Sequence, residues 1–245
     1  MATVTGPDVE VTHELVAQTY RETRERMIAV ARAVGDERGR AEFCPACPEW
    51  SWADVMAHMA GVADDILNQN MEGVTTDPWT QAQIDKRASA SMTEICDEWE
   101  AHGAELDPLI AMVGADIDPR FLFDQWTHEQ DLRPATGEPG GQESWALSRI
   151  LRFGLENVTE RLDEQGAPAI ELVIDGPGGS RWHGVGGVGE PAGSLHLSAF
   201  EFFRFASGRR SEAQARAYDW PGDPTPWLAS MPIWGLADTD ITDAQ

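Results

Sequence analysis

Cationic side chains are scarce in this chain: Lys and Arg together number 18 against 42 Asp and Glu, a formal net charge of −24. Such a surface repels phosphate backbones and anionic lipid headgroups, so neither nucleic acid nor a membrane surface is expected as a partner. The charge excludes no substrate, because a local positive pocket survives in an acidic protein. Cysteine is sparse as well, with only Cys44, Cys47 and Cys96. A small, odd number argues against a disulfide framework. Long apolar runs are missing: none reaches the roughly 18–20 residues that a membrane span needs. The opening MATVTGPDVEV has neither a basic n-region nor an apolar h-region. No secretory signal is therefore expected, and the expected compartment is the cytoplasm. There is no internal repeat and no low-complexity segment.

What is present is enough chain for one large domain or two modest ones. The 245 residues are 42% apolar, and ten are Trp. The first two thirds read as helices. Residues 10–34 carry Val16, Tyr20, Met27, Ile28 and Val30 among charges, an amphipathic pattern. In SWADVMAHMAGVADDILNQN (51–70), Ser51 and Asp54 form a capping-box start, and Trp52, Val55, Met59, Val62 and Ile66 make one apolar stripe. Residues 79–113 are helical in composition, with a break expected near Gly103 or Pro108. A fourth helix covers about 119–133 and stops near Pro134 and Gly137, and a fifth runs from Ser144 to about Glu164. After Gly166 the pattern changes. AIELVID (169–175) alternates as a strand does, GPGG (176–179) is a turn, and SRWHGVG and GSLHLS read as further strands. AFEFFRFASG (199–208) reads as a helix closed by Gly208. The tail, with Trp220, Trp227 and Trp234 among prolines, carries no clear pattern. The expectation is an α+β protein, with a helical bundle over 1–165 and a small mixed domain over 166–245.

CPAC at 44–47 is formally a C-x-x-C. A thioredoxin-like site needs a strand before it and a helix opening at the first Cys. Here Pro45 and Pro48 interrupt, and the next helix starts at Ser51, so a loop approaching that helix is expected.

The unusual segment is DQWTHEQDLR (124–133). As a helix it sets Asp124, His128 and Asp131 at i, i+4 and i+7, on one face. Phe121, Leu132 and Ala135 flank that stripe, which therefore reads as partly enclosed. An enclosed carboxylate needs a partner, since burying it bare costs several kcal/mol. His58, at the edge of its own helix's apolar stripe, offers one. Two His and one carboxylate suffice for a three-ligand site that leaves a fourth position open; zinc accepts that set, and nickel or iron tolerate it. The plainer alternative stands beside it. D-x-x-x-H is common by chance, a lone core histidine is usually just hydrogen-bonded, and Asp131 could pair with Arg133 or Arg120. Of the other histidines, His13 reads as solvated, His102 as lying beside a break, and His183 and His196 as strand residues that could meet.

The pairing of CPEWSWADVMAHMAG (47–61) with FDQWTHEQDLRPATGEPG (123–140) resembles the mycothiol-dependent maleylpyruvate isomerase-like proteins, relatives of the DinB-type metal-binding four-helix bundles. Cys47, Pro48, Trp50, His58 and Gly61 match one motif, and His128, Asp131, Arg133, Ala135 and Gly137 the other. VIDGPGGSRW and FEFFRFASGRR resemble elements of that family's C-terminal domain. The resemblance implies a DinB-like bundle followed by a small α/β domain, holding a divalent metal, zinc by preference, on His58, Asp124 and His128. Asp124 stands where isomerase members carry Glu, which brings the metal closer to the helix or weakens it. The implied activity is a metal- and mycothiol-dependent isomerase or thiol transferase acting on a small electrophile, in a monomer or homodimer. Asp131 and Arg133 are then candidate catalytic residues, Asp131 fixing a ligand imidazole. Arg133, Arg209 and Arg210 are candidates to hold carboxylates of substrate or cofactor. Two other classes remain open: a metal-stabilised binding or regulatory module without turnover, and a metal-dependent hydrolase.

Overall fold

The computed structural model describes residues 3–244. In chain order the elements are β1 (Thr3–Thr5), α1 (His13–Ala41), β2 (Phe43–Cys44), β3 (Cys47–Ser51), α2 (Trp52–Leu67), α3 (Asp77–Lys86), α4 (Met92–Val113), α5 (Arg120–Leu132), α6 (Trp145–Glu164), β4 (Ile170–Asp175), β5 (Arg181–Gly186), β6 (Ser194–Ser198), α7 (Ala199–Ala206), α8 (Glu212–Arg216) and α9 (Thr225–Ser230). The α+β class is as expected. No helix among the described residues is long and apolar enough to cross a membrane.

The chain divides into two compact units. One is helical, Val11–Gly141 with residues 243–244; the other joins β1 to Gln142–Thr242. The expected boundary at 165–166 is thus displaced: α6 belongs with the sheet. The reason lies in β5, where a Cβ on Gly186 would sit 2.5 Å from the Thr159 carbonyl oxygen, and one on Gly184 would sit 3.1 Å from Leu155. Those two glycines let α6 lie directly on the strands. The sheet runs β1-β5-β4-β6, antiparallel except for the parallel pair β4–β6. His183 and His196 both register against Val173, one on each side, so a whole strand separates them and they do not meet. The unsettled tail forms α8 and α9, with Trp220 stacked on Trp227 at 5.6 Å.

In the helical unit α1, α2, α4 and α5 pack on one another, and α3 lies against α2. Helix α1 is interrupted at Gly35, whose φ of 77° stops the helix where the amphipathic pattern ends. Helix α2 starts on the expected capping box, with Ser51 and Asp54 bonding reciprocally. It is buried nearly all round, through Trp52, Val55, Met56 and Met59. The break expected at Gly103 or Pro108 falls instead at residues 87–91, and α4 runs through both. A second capping box, Ser91 with Glu94, starts that helix. Gly103 serves a different purpose: a Cβ there would sit 2.3 Å from the Arg24 guanidinium, which crosses α4 to reach Asp107. His13, expected in solvent, accepts a hydrogen bond from the Ala115 N–H at 2.9 Å. CPAC is the tip of a hairpin: β2 and β3 pair antiparallel, with Cys44 opposite Cys47 across a two-residue turn.

Candidate metal centre

Helices α2 and α5 bring His58, Asp124 and His128 together, and their ligand atoms all lie within 4.8 Å of one another. His58 Nε2 is 3.5 Å from Asp124 Oδ2, and His128 Nε2 is 3.6 Å from Asp124 Oδ1. The imidazoles stand edge to face, with centroids 5.0 Å apart. Neither contact is a hydrogen bond of ordinary length. With metal–ligand bonds of about 2.0–2.2 Å, two donors of a tetrahedral ion stand roughly 3.3–3.5 Å apart. The spacing therefore fits a shared ion better than direct pairing, and the residues present fit the implied metal.

What turns both Nε2 atoms toward Asp124 is the chemistry behind each ring. His58 Nδ1 bonds Gln83 Oε1 at 2.7 Å, Gln83 Nε2 donates to Asp65 Oδ2 at 2.6 Å, and Asn70 donates to the other Asp65 oxygen at 2.8 Å. Gln83 comes from α3 and reaches His58 because position 61 is glycine: a Cβ there would lie 2.4 Å from the Gln83 side chain. Gly61 is thus the slot for His58's support. Behind His128, Nδ1 lies 3.2 Å from Asp131 Oδ2. Asp131 is fully buried, and Cys47 Sγ approaches the same oxygen at 3.8 Å. Trp50 on β3 lies beside both rings, at 5.5 Å from His58 and 5.8 Å from His128. Asp124 alone is open, with a side chain 39% exposed. Next to it Tyr20, Met59, Val62 and Phe121 line a small apolar cleft.

The site's electrostatics favour protonated imidazoles. Burial alone would depress the His128 imidazole, but Asp131, Cys47 and Asp124 outweigh it and push it up to about 9. His58 is raised in the same way: burial opposes, while Asp124 and Gln83 prevail. The Cys47 thiol is held well above its ordinary value by its hydrogen bond with Cys44, by burial and by the charge of Asp131. A thiol so held is no thioredoxin-like nucleophile.

The other expected residues fall elsewhere. Arg133 is buried, with its guanidinium on Glu129 at 2.5 Å and on the Glu138 carbonyl, so it is spent on the fold rather than offered to a carboxylate ligand. Arg26 binds the same buried Glu129 at 2.7 Å. Arg120 pairs with Asp118, so Asp131 has neither of the arginine partners considered for it. Arg209 and Arg210 belong to the sheet unit. Arg210 holds Glu201 at 2.6 and 2.7 Å, and Arg209 donates to the Ser207 carbonyl and lies 6.0 Å from the Trp234 ring. Asp64, Glu98 and His102 form a further acidic group, but the Arg87 guanidinium reaches both carboxylates and Lys86 bonds Asp64, so a cation's place there is taken. Sequence reasoning missed Gln83, whose polar stretch PWTQAQIDK says nothing about which helix it faces.

No family model matches the chain, and no curated protein or solved structure matches it.

Proposed function

We propose that the helical unit is a DinB-like metal-binding bundle, holding a divalent ion, zinc by preference, on His58, Asp124 and His128. The proposed activity is thiol-dependent isomerisation or thiol transfer on a small electrophile. What carries the reading is the pair of 3.5 and 3.6 Å separations between the carboxylate of Asp124 and two imidazoles whose far nitrogens face buried acceptors. A divalent ion there supplies a Lewis acid that lowers the pKa of a bound thiol or water. The protein's own contributions follow from the geometry. Gln83 orients the His58 ring through its hydrogen bond, and the buried Asp131 carboxylate faces the His128 ring from behind. Trp50 shields them on one side. The exposed edge of Asp124 is the way in.

The family motifs point to mycothiol as the thiol. Its thiolate adds to an activated cis double bond; rotation and loss of the thiol give isomerisation, and retention gives a transferase. The test is turnover of an activated cis-olefin by the zinc-loaded protein, with and without low-molecular-weight thiol. Thiol-dependent turnover, abolished in Asp124→Ala, is expected. Turnover that needs no thiol, with water added to the olefin or an activated ester cleaved in its place, means that the metal activates water, as in the hydrolase reading. No turnover of any electrophile, with zinc bound, leaves a metal-stabilised binding module.

A further inference from the structure

The proposed centre uses one ring nitrogen of His128; the residues behind the other nitrogen form a donor set of their own. Cys47, His128 and Asp131 present ligand atoms within 4.8 Å of one another. His128 is only 7% exposed, and its buried Nδ1 has no hydrogen-bond partner of good geometry even though Asp131 Oδ2 is 3.2 Å away. Two buried donor atoms that close, yet not aligned on each other, converge on a third point. The separations fit that point being an ion. A tetrahedral site with a metal–sulfur bond of about 2.3 Å and metal–nitrogen or metal–oxygen bonds of about 2.0 Å has edges of roughly 3.3–3.5 Å. The nitrogen–oxygen edge is 3.2 Å and the sulfur–oxygen edge 3.8 Å.

The supply of donors also follows a metal-site pattern. The tight CPAC turn delivers one sulfur, from Cys47, and His-x-x-Asp gives a nitrogen and an oxygen from one helix turn, i and i+3. Cys44 is fully buried, hydrogen-bonded with Cys47 and 3.5 Å from the Asp131 carbonyl oxygen. Its sulfur is turned to that carbonyl and lies outside the three-donor group, so it packs behind the set as support.

We infer that the CPAC hairpin and the C-terminal half of α5 form a second, thiophilic metal position, held by Cys47, His128 Nδ1 and Asp131. It is a largely buried site of three protein donors, and its ligand class is a zinc- or cadmium-like divalent ion. On binding, the Cys47 thiol loses its proton to solvent as the metal–sulfur bond forms. When the Asp124 centre is filled too, the His128 ring bridges the two ions and releases its remaining proton. The second position stands independently of any thiol-dependent activity, and it shares only His128 with the Asp124 centre.

Cobalt(II) titration of the fully reduced protein tests this, because sulfur–cobalt charge transfer in the near ultraviolet reports thiolate ligation and nothing else in the set produces it. The band should appear with the intact chain, persist in Asp124→Ala, and disappear in Cys47→Ser, while Asp131→Asn weakens cobalt binding at least tenfold. Absence of the band in the intact reduced protein overturns the inference with no variant needed. A band that survives Cys47→Ser, in protein whose circular dichroism shows it folded, overturns it as well. Loss of one equivalent of metal in Asp124→Ala with the charge-transfer band intact is the expected result and shows two separately occupied positions, whereas loss of the band together with that equivalent overturns the second position.

Discussion

Two aspartates in the helical unit, Asp107 and Asp124, each face two nitrogen-bearing side chains, and they differ in every respect that matters for function. Asp107 on α4 is met by Arg24 at 2.6 and 2.8 Å and by Arg21 at 2.9 Å, all full hydrogen bonds to permanent cations. Asp124 on α5 is met by two imidazoles at 3.5 and 3.6 Å, whose charge depends on a proton. The first cluster is complete as it stands, because guanidinium matches carboxylate in charge and in geometry. The second has the charge and spacing of donors arranged around something else. Distance, rather than residue type, separates the closed ion pair from the candidate metal centre here. The Asp64–Glu98 group, closed by Arg87 and Lys86, falls on the side of Asp107.

The comparison breaks most visibly at Asp124 itself. Asp124→Ala should weaken zinc binding roughly a thousandfold, about 4 kcal/mol, while leaving the melting temperature of the metal-free protein within a few degrees. Calorimetric titration together with a thermal melt checks both halves. Asp107→Ala should do the reverse. It strands the Arg24 guanidinium, which is 7% exposed, and should cost about 2–4 kcal/mol of stability, read by urea unfolding, with zinc affinity unchanged. Gly103→Ala, which pushes the same guanidinium off α4, should cost about 1–3 kcal/mol in that assay.

Smaller effects sharpen the contrast. Gly61→Ala displaces Gln83 from its slot, and Gln83→Leu removes the bond to His58 Nδ1; each should lower zinc affinity by about 10–100-fold without abolishing it. The last prediction concerns pH. Burial would raise the Asp107 carboxyl, but Arg24 and Arg21 outweigh it and hold it below its ordinary value. A depressed carboxylate contributes stability that is present above the unfolded pKa of about 3.9 and lost as pH falls through the lower folded value. Unfolding free energy of the metal-free protein should therefore drop below about pH 4, with a shallower drop in Asp107→Asn.

Much of this was legible in the chain, and the gaps have physical causes. D-x-x-x-H on a helix and a histidine beside an apolar stripe were enough to nominate the three centre residues, because helical spacing decides what shares a face. The capping box at Ser51 was readable for the same local reason. The box at Ser91 was equally local, yet Gly103 and Pro108 were the more conspicuous punctuation and drew the expected break to themselves. Gly103 and Gly61 turned out to be slots for side chains from other helices, a role that a one-dimensional pattern does not distinguish from a helix breaker. Gln83 and the placing of α6 on the sheet are tertiary facts of the same kind: each depends on a glycine facing it from a distant element.

The most direct test of the central claim is to count metal. The protein, stripped with chelator, reloaded with zinc and desalted, would be analysed by elemental mass spectrometry alongside His58→Ala and Asp124→Ala. Both variants should hold one equivalent of zinc fewer than the intact chain. Equal zinc in all three, or none in any, would mean that the imidazoles and the carboxylate meet for the sake of the fold alone.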